Sequence, residues 1–132
     1  MRAAAVALLL TACAYPPAAP EGRSESAPLP LRLTGTEPFW GALIASGEIV
    51  VSGADRAPLR ARIEAAPNLA GASGWGFSGL AENGAPLSVR IVPAACSDGM
   101  SDRVYPYKAS VTIGRETLSG CAGPESLFVP VP

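Results

Sequence analysis

From Leu31 onward the side chains repeat with a period of two, and no other property constrains the fold of this chain as much. Leu59, Ala61 and Ile63 alternate with Arg60, Arg62 and Glu64, and Leu87, Val89 and Ile91 alternate with Ser88 and Arg90. Tyr107, Ala109, Val111 and Ile113 stand opposite Lys108, Ser110 and Thr112 in the same way. Successive strand residues point to opposite faces, so each segment reads as a strand with one apolar and one polar face. Shorter segments of strand character are 31–33, 39–45, 48–52, 75–80 and 116–121. Turn chemistry separates them: Ser46-Gly47, then Asn83-Gly84, then Gly114-Arg115. With 14 Gly and 14 Pro spread along the chain, no stretch of ten or more residues keeps a helical period. The expected fold is all-β, a small antiparallel barrel or barrel-like sandwich of about eight short strands, with closure favoured because it removes exposed edges.

The first thirteen residues follow a different pattern. Arg2 precedes an apolar run from Ala3 to Leu10, and Leu10-Thr11-Ala12-Cys13 has the form of a bacterial lipobox. The apolar run falls far short of the roughly 20 residues a spanning helix needs. Residues 1–12 are therefore expected to be a signal peptide, leaving Cys13 as an acylated amino terminus. Each buried methylene of such a chain contributes about 0.8 kcal/mol, and several chains make a firm anchor. Ala14 stands where an aspartate would resemble an inner-membrane retention signal, so the expected location is the cell envelope, most simply the outer membrane facing the periplasm. Residues 13–30, rich in Ala, Pro, Glu and Ser, read as a tether able to span about 50 Å when extended. The folded domain is then expected at 31–132.

Removing residues 1–12 deletes Arg2 and leaves nine basic against eleven acidic side chains. That balance, with no basic run, argues against nucleic acid as a partner. With Cys13 assigned to lipid, Cys96 and Cys121 remain, and an exported chain reaches a compartment where they can pair. Closing that loop is worth about 3.5 kcal/mol in a chain-entropy estimate. Two cysteines without histidine do not make a zinc site, and Asp98 with Asp102 falls short of the six to eight oxygens calcium takes. No metal and no cofactor are expected.

The chain has no histidine, which removes the usual general base and the usual Ser-His-Asp or Cys-His nucleophile arrangements. A carboxylate pair such as Glu37 and Asp102 would need a defined separation across a cleft to cleave a glycoside. Lys108 beside Ser110 carries no supporting motif. The expectation is a protein without catalytic activity.

Two segments are denser than folding requires. The first is Gly35-Thr36-Glu37-Pro38-Phe39-Trp40. The second runs from Cys96 through Met100-Ser101 to Tyr105-Pro106-Tyr107 and is answered by Gly120-Cys121. Together they resemble a family of uncharacterised bacterial envelope lipoproteins, distantly similar to META-type proteins and to lipoprotein inhibitors of lysozyme. The resemblance implies a small β-rich envelope domain and names no activity. Read physically, Phe39 and Trp40 must face opposite ways, one toward the core and one toward the outside or rim. Glu37 is expected to bond loop amides or Arg103. Tyr105 and Tyr107 share a face at the start of a strand, and Met100 in a loop offers an adaptable contact. Glu37, Trp40, Met100, Asp102, Tyr105 and Tyr107 thus form a candidate binding rim, against which core packing stands as the plainer role for Trp40 and both tyrosines. The expected function is a lipid-anchored binding domain for a protein, a peptidoglycan fragment or a small apolar ligand. Inhibition of a muramidase and a structural or stress-related role are the alternatives.

Overall fold

The computed structural model describes Cys13 and residues 26–66 and 74–128. The expected signal peptide (1–12) and residues 14–25 of the expected tether lie outside the described residues. Eight antiparallel strands follow one another: β1 (Leu31–Thr36), β2 (Phe39–Ala45), β3 (Glu48–Gly53), β4 (Arg56–Arg62), β5 (Trp75–Leu80), β6 (Pro86–Ser97), β7 (Val104–Ile113) and β8 (Glu116–Pro124). A short 3-10 turn, Glu125–Phe128, closes the described chain.

Short hairpin turns place sequence neighbours side by side, giving the order β4-β3-β2-β1-β8-β7-β6-β5. The pairing of β1 with β8, from Leu31↔Pro124 to Thr34↔Cys121, joins the two ends of the domain. The outer strands of this sheet then meet each other. Bridges Ala61↔Ala81 and Ala65↔Ser78 link the β4 and β5 sides, with the Glu82 N–H donating to the Arg60 carbonyl at 2.9 Å. The result is a nearly closed barrel, in keeping with the alternating pattern of the sequence.

Apolar residues of that alternation fill the interior. Leu31, Leu33, Ile44, Ile49, Val51 and Ile91 are among the fully buried side chains, and no polar or charged residue is buried among the described residues. Fully burying an aliphatic side chain of this size stabilises by about 1.5–3 kcal/mol, so this packed column dominates the folding energy. The barrel holds side chains where larger barrels hold a ligand. Packing starts ahead of β1: Ala27 rests against the core, and the Pro30 carbonyl accepts from the Glu125 N–H at 3.0 Å.

β6 and β7 outrun their segments of clean alternation. β5 pairs β6 only from Pro86 to Ile91, so Pro93 sits where its missing N–H leaves no ladder bond unmade on that side. A register shift between Pro93 and Cys96 then bends the paired tip, in which Cys96 opposes Tyr105 and Ser97 opposes Val104. β6 and β8 flank β7 on either side, and strands two places apart in an uncurled sheet lie about 9.6 Å apart. The Cα atoms of Cys96 and Cys121 are nevertheless 5.6 Å apart, joined by a disulfide. The tip therefore folds back over the outer face of β8. Cys121, on the outward register between core residues Leu118 and Ala122, is buried beneath it.

Candidate functional site

The Gly-Thr-Glu-Pro-Phe-Trp segment spans the end of β1, a tight turn and the start of β2. Gly35 and Trp40 are directly opposed in the β1–β2 ladder. A methyl group on Gly35 would fall onto the Trp40 indole ring, so the glycine is the space the indole occupies. The indole reaches past β1, and its Nε1–H donates to the Ser119 carbonyl of β8 at 3.2 Å. Trp40 is only 5% exposed, whereas its neighbour Phe39 is 56% exposed. The alternation of faces thus holds, and it is Phe39 rather than Trp40 that stands on the outside. Trp40 is a girder of the barrel and not a rim residue.

The folded-over tip builds its own framework around Asp98. One carboxylate oxygen accepts the Met100 and Ser101 backbone N–H groups at 2.9 and 2.8 Å. The other accepts the Ser101 hydroxyl at 2.8 Å and the Tyr105 hydroxyl at 3.1 Å. Hydrogen bonds to the charged form favour it, and the two backbone bonds contribute most, so the Asp98 carboxyl is held well below the usual carboxylate range. Tyr105 responds in the opposite direction. Burial and the bond to the Asp98 carboxylate hold its phenol above its ordinary value. The Asp98 carbonyl also accepts from Thr36 Oγ1 at 3.5 Å, which fastens the tip to the end of β1.

A second set of contacts holds the tip from the side. The Tyr105 ring, 4% exposed and outside the main core, stacks on Phe128 with centroids 5.6 Å apart. The guanidinium carbons of Arg32 and Arg103 each lie 5.7 Å from the centroid of the Phe128 ring. Arg32 also pairs with Glu125 at 3.0 Å. Each such cation–aromatic contact is worth about 0.5–1 kcal/mol at a partly exposed site. The carboxyl-terminal turn is therefore part of the site, although neither Phe128 nor Arg32 carries a pattern that marks it in the sequence. The β1–β8 pairing is what brings Arg32 to Glu125, 93 residues away, and to the neighbouring Phe128.

The six expected rim residues divide. Glu37, Met100 and Asp102 are exposed. Trp40 and Tyr105 are buried, and Tyr107 packs against the core with its ring edge-on to Trp75 at 5.3 Å. Glu37 makes no ion pair with Arg103; the Arg103 side chain turns to Phe128 instead. The large apolar side chains left outside here are Phe39 at the start of β2 and Met100 and Val104 of the tip, which are 56%, 70% and 66% exposed. Phe39 opposes Thr36 in the ladder and shares its face, and Thr36 is the residue that touches the tip.

Lys108 and Ser110 lie together on the outer face of β7, where Lys108 opposes Cys121 at the foot of the tip. Among the described residues, no three Asp, Glu or Cys side chains gather into a metal site, and no helix is long and apolar enough to cross a membrane. Compared with known protein families, with curated proteins and with solved structures, the chain matches none.

Proposed function

We propose that this protein is a lipid-anchored envelope lipoprotein, held to the membrane through Cys13, whose barrel acts as a binding domain without catalytic activity. The surface offered to a partner is made by Met100 and Val104 of the braced tip with Phe39 at the start of β2, beside the strand end that the tip is fastened to. One observation carries this reading. The tip spends its polar groups on itself, through Asp98, Ser101 and Tyr105, while its large apolar side chains face solvent. Folding alone gives no reason to brace a loop and leave its apolar groups outside, whereas a pre-organised contact surface needs both. Met100 adds an adaptable side chain to a rigid frame. The partner class that suits it is an envelope protein with an apolar contact patch. The lipobox pattern and the resemblance to envelope lipoproteins supply the location.

The anchor is tested by expressing the full chain in a bacterial host fed labelled palmitate. Label and membrane association should be present in the wild type and absent in Cys13→Ser. The surface is tested by crosslinking in the envelope followed by mass spectrometry. A Phe39→Ser/Met100→Ser double variant should lose crosslinked partners that a Glu64→Gln control retains. Partners unchanged in the double variant would remove this surface from the reading.

A further inference from the structure

We infer that the outer face of β5–β8 is a docking surface for an acidic polysaccharide, running below the braced tip. Register alone assembles it. Ser78 opposes Ser88, Ser88 opposes Thr112, and Thr112 opposes Thr117, a row of hydroxyls crossing four strands. One step along the strands, Gly76, Arg90, Ser110 and Ser119 form the next row. Their neighbours Phe77, Val89, Val111 and Leu118 are in the core, so both rows point outward.

The charge on this face is one-sided. Lys108 opposes Val92, which puts it diagonal to Arg90 in the β6–β7 ladder. Diagonal neighbours stand about 7–8 Å apart, close enough for the two cations to repel. Among the described residues neither has an ion-pair partner; Arg32, Arg56 and Arg60 are the arginines matched to carboxylates. No Asp or Glu occupies an outward position of these four strands. Glu116 is on the inward register opposite Ile113 and pairs with Arg56 of β4. An anion seated between Arg90 and Lys108 would relieve their repulsion.

The face is also shaped. Two concavities of about 320 and 330 Å³ adjoin across it and share Arg90 and Ser110. The second is walled by the folded-over tip at Cys96, so the groove runs from the hydroxyl rows to the foot of the tip. Hydroxyls about 4.8 Å apart along a row, in rows about 6.8 Å apart with cations set among them, complement a polymer bearing both hydroxyls and carboxylates. A membrane surface fits less well. Two cations fall short of the four to eight that draw segments to anionic lipid, and the large exposed apolar side chains of these strands, Leu80 and Val104, stand at opposite ends of the face rather than in one patch. The face has no aromatic platform on which bases could stack.

The test titrates the full chain with polygalacturonate, with dextran as the uncharged control and phosphatidylglycerol vesicles as the lipid arm. Binding to polygalacturonate and not to dextran is expected, weakening as salt rises. Arg90→Gln/Lys108→Gln should reduce affinity about tenfold or more, the scale of losing charge-assisted contacts. Ser88→Ala/Thr112→Ala, which leaves the charge intact, should reduce it by a smaller factor. Arg60→Gln, on β4 outside this face, should bind as the wild type does. Binding unchanged in both double variants overturns the inference. So does binding to the vesicles without binding to polygalacturonate, or no binding to either.

Discussion

The Trp40 indole N–H donates to the Ser119 carbonyl at 3.2 Å, across the intervening strand β1. One side chain of β2 is thereby fastened to β8, and the pairing of the first barrel strand with the last gains a bond from the barrel's interior. The contact exists because Gly35 leaves room for the indole.

Trp40→Phe keeps an aromatic ring and loses the bond, leaving a carbonyl without its donor. It should destabilise by about 1–2 kcal/mol. Gly35→Ala places a methyl where the indole lies and should cost about 1–3 kcal/mol through displacement of the ring. Urea unfolding of both variants checks this, with a lowered midpoint and an unchanged slope as the expected result. Wild-type stability in Gly35→Ala would mean the indole has another place to go.

Asp98 makes stability depend on acid pH. Its folded-state carboxyl titrates below the unfolded value, so the stabilisation is complete above about pH 4 and is lost as pH falls toward the depressed folded value. Asp98→Asn cannot hold the same charge-assisted bonds and should lack that component. The stability difference between wild type and Asp98→Asn should be largest near neutrality and shrink below pH 4. A difference that stays constant from pH 7 to pH 2 would exclude the bonds to the charged form as its source.

At the alkaline end the sign reverses for Tyr105. Its folded-state phenol titrates above the unfolded value of about 10, so the contribution is complete below that pH and is lost as pH rises toward the folded value. Absorbance titration of tyrosinate should show a late component that disappears in Tyr105→Phe and moves earlier in Asp98→Asn. A late component that survives Tyr105→Phe would assign it to another tyrosine.

Alternation along the strands determines the barrel, because a period of two with short turns leaves few ways to bury one face of eight strands. Leu87, Val89 and Ile91, and Val111 with Ile113, all point inward as their spacing requires. The pairing of Cys96 with Cys121 was legible too, once Cys13 was set aside. The tip was not. Its fold-back depends on a one-residue register shift after Pro93, and a bulge has no periodic signature. Hence Tyr105, spaced like Tyr107 on the same strand, is buried against Phe128 instead of the main core. For Trp40 the motif was visible and its purpose was not, because a buried indole and an exposed one are the same letter. The two cations on the outer face, without ion-pair partners among the described residues, became visible only when register set Arg90 diagonal to Lys108.

The disulfide fixes the tip to β8 across 25 residues, and closing such a loop is worth about 3.5 kcal/mol in the chain-entropy estimate. Cys96→Ala/Cys121→Ala should lower stability by up to that amount. Its larger effect should be local, because the hydrogen bonds of Asp98 then hold a tip no longer strapped down. Amide exchange of Met100 and Ser101 should accelerate well beyond that of Val89 and Val111 in the core. Equal acceleration at all four positions would show that the strap stabilises the barrel as a whole.

Closure of the barrel at the β4–β5 seam rests on close backbone approach. A methyl group on Gly79 would meet the Arg62 carbonyl, where the Glu64 N–H also donates to the Ser78 carbonyl at 2.9 Å. Backbone cannot give way as a flexible side chain can, so Gly79→Ala should part the seam near Ser78 and Ala65. Two consequences follow from an opened seam. Amides of Glu64, Ala65 and Ser78 lose their partners and exchange faster, and the freed edges of β4 and β5 become available to pair with another chain. Hydrogen exchange should show the first and analytical ultracentrifugation the second, as a concentration-dependent dimer in Gly79→Ala beyond any association of the wild type. Faster exchange without added association would mean that the neighbouring charges, Arg60, Arg62 and Glu82, guard the edge even when it is open.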